Sequence, residues 1–265
     1  MRVLHIWDPA FIASTLCREL KKAFNVDYRI IFRHSESPWG SFDDITYWDY
    51  PKYILGMRLL LETRKYDLIH LHSKDEFLPY VKKLFPNKPV LLHYHGTDIR
   101  DHWYEKRNRW SHADYIIVST IDLLDGAPSN ARWLPNPINR QDFPNGPIGH
   151  GCVHFRYGCD DIAKELAKKN GLELTILPRN IPRSEIVNTL RKFSHIIPLK
   201  ISHGKLLSDS KNQYSVLELE ALSLGLSTVK IDGIYSGFPI EHDSSKVGKQ
   251  IFRIYKQLLE KPRVN

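Results

Sequence analysis

Two histidines one residue apart close the fourth apolar run of the chain, Val90-Leu91-Leu92-His93-Tyr94-His95, and Gly96-Thr97-Asp98-Ile99-Arg100 follow. In an extended segment, alternation places His93 and His95 on one face and Tyr94 on the other. Parallel sheets bind ligands outside the carboxyl ends of their strands, and His95 and Asp98 fall just there, with Gly96 allowing a sharp turn. Three chemistries fit the pattern. They are a polar cluster lining a ligand cleft, an HxH metal pair of the metal-hydrolase kind, and two hydrogen-bonded histidines at a sheet edge.

Other chemistries are excluded by what is missing. The turn after the first apolar run reads Trp7-Asp8-Pro9-Ala10-Phe11-Ile12-Ala13-Ser14, with no glycine before Gly40. Close approach of backbone to a pyrophosphate in a dinucleotide fold needs GxGxxG at this point, so NAD or FAD is not expected. The GxxxxGK[ST] loop is also absent. Cys17, Cys152 and Cys159 are odd in number and lack CxxC spacing, which argues against disulfides and structural zinc. The segment from Pro38 to Tyr53 carries Trp39, Phe42, Tyr47, Trp48, Tyr50 and Tyr53. It reads either as an acceptor-binding loop, because aromatic rings stack on sugar faces, or as a loop packed on its own domain.

The elements that must position these residues alternate. Strands are expected at Val3–Ile6, Asp27–Phe32, Leu68–Leu71, Val90–Tyr94 and Tyr115–Ser119. Helices fall between them at Ala13–Ala23, Tyr53–Glu62 and Glu76–Phe85, the second with Ile54, Met57, Leu60 and Leu61 as its buried stripe. Strands separated by helices predict βαβ units and a parallel sheet. Residues 126–151 hold five prolines and four glycines and read as a linker. Alternation then restarts with strands Val153–Phe155, Leu172–Leu177, Ile196–Pro198 and Ser227–Ile231. The helices here are Asp161–Asn170, Arg183–Lys192 and Ser215–Leu224, and a basic amphipathic helix, Lys246–Glu260, ends the chain. The expected domains are residues 1–144, a compact 145–245, and a terminal helix and tail at 246–265.

With 265 residues, 42% hydrophobic and 26% charged, the chain suits two globular domains. Residues 1–144 carry 20 Lys+Arg against 18 Asp+Glu, and residues 145–265 carry 18 against 12. The basic excess in the smaller half suits a polyanion such as a nucleotide diphosphate. No zinc finger, RRM motif or dense basic run points to nucleic acid. No apolar run of membrane-spanning length occurs, and the acid at position 8 interrupts any signal-peptide core. The expected location is cytoplasmic, with peripheral contact at the inner membrane face left open.

Four segments then occur in a telling order: Tyr94-His95-Gly96-Thr97-Asp98-Ile99-Arg100, Ala113-Asp114-Tyr115-Ile116-Ile117-Val118-Ser119, Leu134-Pro135-Asn136-Pro137-Ile138-Asn139, and Leu219-Glu220-Ala221-Leu222-Ser223-Leu224-Gly225. Together they resemble the GT-B glycosyltransferases called group 1, or family four. The resemblance implies two Rossmann-like α/β domains facing across a cleft, the second unusually compact. It implies a hexosyltransferase, retaining and independent of metal and cofactor. Such an enzyme moves a sugar from a UDP-, GDP- or ADP-linked donor to a glycan, lipid-linked or small-molecule acceptor. It places His95 at the transferring sugar, Asp98 beside it, either orienting His95 or touching the acceptor, and Glu220 on the donor ribose. Ser215, at the start of the Glu220 helix, faces the donor phosphates. Trp39 and Trp48 are the acceptor-side candidates.

The departures are specific. The family's first glutamate, eight positions before Glu220, is Asn212. Arg156 stands where the family clamps the diphosphate, but the usual following lysine is missing, and Lys205 and Lys211 are the available substitutes. The first-turn glycine pair is missing too. These departures keep two alternatives open: a nucleotide-sugar epimerase or hydrolase of the same fold, and a catalytically silent sugar-nucleotide-binding protein.

Overall fold

The computed structural model describes residues 1–33, 45–146, 148–179, 181–202, 205–207 and 213–260. The chain divides into two compact units, Met1–Pro137 with Ser244–Asn265, and Ile138–Asp243.

In the first unit the elements follow the expected alternation: β1 Arg2–Ile6, α1 Ile12–Phe24, β2 Asp27–Phe32, β3 Ile45–Tyr47, α2 Lys52–Thr63, β4 Leu68–His72, α3 Leu78–Leu84, β5 Val90–Tyr94, the single turn α4 Arg107–Trp110, β6 Tyr115–Val118 and β7 Ala131–Trp133. The seven strands form one sheet in the order β3-β2-β1-β4-β5-β6-β7, and every pair is parallel. Side chains alternate across it. Leu4, Ile6, Ile69, Leu71, Leu92, Tyr94, Ile116 and Val118 build the core on one face, with Leu59 of α2 and Leu78 and Val81 of α3. On the other face Ala13 and Cys17 of α1 pack on Ile30.

Helix α2 turns a different side to the core than the expected stripe. Met57 and Leu61 are 60% and 61% exposed, and Ile54 is exposed as well. The helix buries Leu59, Glu62 and Thr63, with Leu55 and Leu60 packed against the core. The reason lies in Glu62. Its carboxylate accepts from Arg29 at 2.7 Å and Lys65 at 2.8 Å, and Thr63 donates to the Leu59 carbonyl at 2.8 Å. A buried carboxylate must have its partners, and these fix the rotation of the helix.

In the second unit the elements are β8 Cys152–Phe155, α5 Asp160–Lys169, β9 Leu174–Leu177, α6 Ile186–Leu190, β10 His195–Ile197, β11 Lys200–Ser202, β12 Lys205–Leu207, α7 Val216–Leu224, β13 Ser227–Lys230 and β14 Gly233–Tyr235. The main sheet runs β14-β13-β10-β8-β9, and β11 and β12 form a separate hairpin. Only β14 is antiparallel to its neighbour in the main sheet. Helix α7 starts on a reciprocal cap. The Ser215 hydroxyl accepts the Glu218 N–H, and the Glu218 carboxylate accepts the Ser215 N–H. It ends at Gly225 with φ 102°, where a Cβ would collide with the Asn145 side chain.

The division falls at 137/138, earlier than residue 144, because Ile138 and Phe143 are already core residues of the second unit. The chain enters and leaves that unit side by side: the Ile138 N–H donates to the His242 carbonyl at 2.8 Å. The terminal helix α8, Ser244–Glu260, belongs to the first unit. Its Phe252 stacks on Phe24 at 4.1 Å, and Tyr255 is buried among strand histidines. Strands β3, β7, β11, β12 and β14 and the turn α4 are additions to the expected elements, β7 lying within the Pro/Gly-rich stretch.

Candidate functional site

Sheet order reverses between β1 and β4 in the first unit, which makes their carboxyl ends the expected ligand edge. The backbone there is strained. Trp7, Ala10, Phe11 and Ser73 have φ of 79°, 52°, 62° and 62°, a left-handed conformation costing a non-glycine residue about 1–2 kcal/mol. The missing first-turn glycines are thus replaced by side-chain-bearing residues held in glycine-like conformations. Strain of this kind clusters at functional sites. The Lys74 ammonium sits 3.6 Å from the Trp7 ring centroid, a cation–π pair across the switch point. Asp75 pins that loop. It is buried, accepts the Tyr94 hydroxyl at 2.9 Å, and meets Lys106 and Arg109 at 3.2 Å each.

Asp8 lies in the same turn. Its carboxylate accepts the Ala13 N–H at 2.7 Å, the Ser14 N–H at 3.3 Å and the Ser14 hydroxyl at 2.6 Å. Burial nevertheless pushes it up to about 6, against the pull of those hydrogen bonds and of Arg18.

The histidines do more than the HxH spacing indicates. Strand register sets His5 beside His70 and His72 beside His93, so His5, His70, His72, His93 and His95 share one face. Their nitrogens join in sequence. His5 Nδ1 meets His72 Nε2 at 3.1 Å, and His72 Nδ1 meets His95 Nε2 at 3.0 Å. His95 Nδ1 and His93 Nε2 both meet Ser119 Oγ, at 2.7 and 2.9 Å. His93 Nδ1 meets His70 Nε2 at 3.3 Å. Tyr255 Oη meets His70 Nδ1 at 2.7 Å and His5 Nε2 at 3.3 Å, closing the circle. Burial pushes His5 down to about 3 and His95 to about 4, the latter despite the Asp98 charge. Burial and then mutual repulsion hold His70, His72 and His93 well below the ordinary imidazole value.

Two trios, His5/His70/His72 and His72/His93/His95, bring nitrogens within 4.8 Å of one another. Every one of those nitrogens is engaged in the circle, so a metal ion there would have to break it.

The two catalytic candidates therefore stand differently than the resemblance implies. Both His95 ring nitrogens are used by His72 and Ser119, so neither is free for a sugar while the circle is closed. The Asp98 carboxylate accepts the N–H of His95 at 2.9 Å and of Gly96 at 2.6 Å and fixes the turn. Trp48 is half-buried, packed on the core beside Tyr50, with the Arg29 guanidinium 5.6 Å from its ring centroid. Trp39 lies outside the described residues. Trp7, Asp8, Lys74, Ser119 and Tyr255 were not singled out from the sequence, and neither were His5, His70 and His72. The repeated H-x-H of residues 70–72 was the available signal.

In the second unit the sheet order reverses between β8 and β10, and Arg156 leaves the carboxyl end of β8. It is exposed and paired with Asp160 at 3.0 Å. Glu220 is 1% exposed, and its carboxylate bonds to Arg183, whose side chain is 24% exposed. Burial raises the carboxyl of Glu220 and the charge of Arg183 opposes that rise. What this pair offers to solvent is therefore the guanidinium, not the carboxylate. Ser215 is the N-cap residue of α7, and its hydroxyl is taken by the helix itself. Lys205 begins β12, with its side chain outside the description, and Lys211 and Asn212 lie outside the described residues.

No known protein-family profile and no curated protein matches the sequence. Among solved structures, AviGT4, a glycosyltransferase involved in avilamycin A biosynthesis, is similar over 99% of both chains at 11% identity, with a TM-score of 0.69. The spinosyn rhamnosyltransferase SpnG (13% identity, 97% of this chain and 92% of that, TM-score 0.46) and MurG of Acinetobacter baumannii (11%, 95% and 83%, 0.44) are more distant. The first of these likenesses shows the fold: two α/β units of the GT-B type.

Proposed function

We propose that this protein is a glycosyltransferase that takes a sugar from a nucleotide diphosphate, binding the donor on the second unit and serving the acceptor from the first. The observation that carries this reading is the pair of guanidiniums, Arg156 and Arg183, on the loops after β8 and β9. Those loops lie at the carboxyl-end edge where parallel sheets bind ligands, in a fold shared end to end with a glycosyltransferase. Guanidiniums bridge phosphate oxygens and stabilise the charge that grows on a departing diphosphate. Support for a retaining outcome comes from the first unit. An inverting displacement needs a base on the acceptor hydroxyl, and both candidates named from the sequence, His95 and Asp98, are bound internally. Support for metal independence comes from the consumed histidine nitrogens.

Calorimetry with UDP, GDP, ADP and dTDP tests the donor assignment. One nucleotide should bind selectively, and Arg156→Ala and Arg183→Ala should each weaken it about tenfold, the worth of one charge-assisted hydrogen bond. No binding of any nucleotide diphosphate at millimolar concentration would end the proposal. Donor consumption with and without acceptor distinguishes transferase from hydrolase, epimerase or silent binder. Turnover unchanged in EDTA is expected, and product anomeric configuration read by NMR decides retention.

A lipid-linked acceptor is supported by the surface of the first unit. Helix α2 exposes Tyr53, Ile54, Met57 and Leu61, and neighbouring α3 exposes Tyr80 and Leu84. Lys52, Arg58 and Lys83 lie among them. An apolar strip edged by cations suits an anionic bilayer surface. Helix α8 offers charge alone, since its apolar side is buried, and no helix among the described residues is long and apolar enough to cross a membrane. Sedimentation with phosphatidylglycerol vesicles at low salt should bind the protein and 0.5 M salt, taken as roughly half the 1 M at which screening falls to a few ångströms, should release it. Met57→Glu with Leu61→Glu should abolish binding, and retention by that variant removes the idea.

A further inference from the structure

The circle of five histidines, Ser119 and Tyr255 contains seven groups joined by seven hydrogen bonds of 2.7–3.3 Å. A neutral imidazole supplies one proton and one acceptor, and each hydroxyl does the same. Five neutral histidines, one serine and one tyrosine therefore supply seven protons, one for each bond, with none over. The connectivity fixes more than the count. Followed in one sense, Tyr255 donates to His5 Nε2, His5 Nδ1 to His72, His72 Nδ1 to His95, His95 Nδ1 to Ser119, Ser119 to His93 Nε2, His93 Nδ1 to His70, and His70 Nδ1 back to Tyr255. Every histidine is then the Nδ1–H tautomer. Reversing the sense makes every histidine the Nε2–H tautomer. A mixed set puts two donors, or two bare nitrogens, against each other somewhere in a buried site, which costs a hydrogen bond and its desolvation.

We propose that these seven groups form one closed proton circuit that holds all five imidazoles in a single shared neutral tautomer, and that Tyr255 and Ser119 are positioning residues for His95 and, through its backbone N–H on Asp98, for the turn that follows it. The role of His95 rests on the glycosyltransferase reading; the circuit itself does not. Exchange between the two states shifts all seven protons by one bond each, leaving the net charge unchanged. An eighth proton makes one imidazole a donor on both sides. The circle then stays intact only if a hydroxyl turns its own proton away and accepts from both neighbours. The strand histidines, Tyr255 of α8 and Ser119 thus resist protonation together. The remaining titratable groups facing them are Cys17 of α1, beside Tyr255, and Asp98, on the loop after His95.

Opening the circle has a definite sign. In Tyr255→Phe the six remaining groups form an open chain ending at His5 Nε2 and His70 Nδ1. One additional proton on a free end leaves every surviving bond satisfied, so protonation becomes easier. Ser119→Ala opens the circle between His93 and His95 with the same consequence.

The experiment is 15N-histidine NMR on the whole chain across pH. In the wild type, the five histidines of the circle should show the same nitrogen protonated and the same nitrogen bare, and they should titrate together at acid pH. In Tyr255→Phe and Ser119→Ala the acid midpoint should rise by about one pH unit, the equivalent of one hydrogen bond. Mixed tautomers in the wild type overturn the circuit, and that measurement needs no variant to fold. Unmoved midpoints in either variant that keeps its circular dichroism overturn it too. The positioning role is read separately: the acid limb of the kcat profile should move with the NMR midpoint while KM for the donor holds. Uniform tautomers in a protein without transferase activity would uphold the circuit and sink the functional reading instead.

Discussion

Replacing Lys230 with methionine is expected to destabilise the second unit by about 3–5 kcal/mol, the cost of leaving a buried charge without its partner. The Lys230 ammonium lies 3.1 Å from Glu218 Oε1, with both side chains fully buried. It also donates to the Gln213 carbonyl at 2.8 Å and lies 4.4 Å from the Tyr214 ring centroid. Glu218 further accepts the Thr228 hydroxyl at 2.9 Å and the Ser215 N–H at 3.3 Å, so one carboxylate ties strand β13 to the cap of α7. Burial already raises its carboxyl, and Lys230 is the main force opposing that rise. Without the cation, Glu218 is protonated in the folded state over a wider range than in the unfolded one. Such a group favours folding at low pH, and the benefit is lost as pH climbs from the ordinary carboxylate range through the raised value. The deficit of the variant should therefore be larger at pH 8 than at pH 5. Hydrogen exchange of second-unit amides is the suitable probe, because all six tryptophans lie in residues 1–137. Combining Lys230→Met with Glu218→Gln should restore much of the loss. Equal protection of wild type and Lys230→Met at pH 8 would show that the pair contributes nothing.

Asp8→Asn is expected to act in the opposite direction on the first unit. The Asp8 carboxyl is raised to about 6 from 3.8, so its buried charge costs up to about 3 kcal/mol once ionised. The sign follows directly. A carboxyl whose folded value lies above its unfolded one binds protons more tightly when folded, so wild-type stability falls between pH 4 and 6 and is level above that window. Asparagine keeps an acceptor for the Ala13 and Ser14 N–H groups and removes the charge. The variant should match the wild type at pH 4 and exceed it by about 1–3 kcal/mol at pH 8, measured by urea unfolding with tryptophan fluorescence. A costly charge beside strained backbone is the pattern expected where function is served at the expense of stability. Donor turnover should accordingly fall by tenfold or more, about one charge-assisted hydrogen bond. A variant that is more stable and equally active would make Asp8 a capping group only.

Much of the scaffold was legible in the chain. The short apolar runs at Val3–Ile6, Leu68–Leu71 and Val90–Tyr94 gave strands in place, because strands of a parallel sheet are covered on both faces and read as near-continuous apolar stretches. The helices between them were found within a few residues, and the expected start of α7 at Ser215 falls on the residue that caps it. Helix α2 was placed but rotated. Hydropathy alone favoured Ile54, Met57 and Leu61, whereas the partners of Glu62 turned those residues outward. The Pro/Gly content of residues 126–151 signalled a linker but not the short strand β7, which is held by a neighbour, Val118 at Trp133, rather than by local preference.

The candidate site divides along the same line. By itself the sequence determined that His93 and His95 share a face, that no glycine-rich dinucleotide turn exists, and that Arg156 follows a strand, because each of these is local. It also held Ile69-His70-Leu71-His72 and His5 in plain view. Only the tertiary structure decided that these three strands are neighbours, that register sets His5 by His70 and His72 by His93, and that a helix starting at residue 244 returns to insert Tyr255. It likewise decided that Glu220 is sealed behind Arg183. Alternation fixes which face a side chain takes, but not which strand lies beside it. That depends on burying two faces of one sheet with the whole chain at once, and contacts between residues 250 positions apart have no local signature.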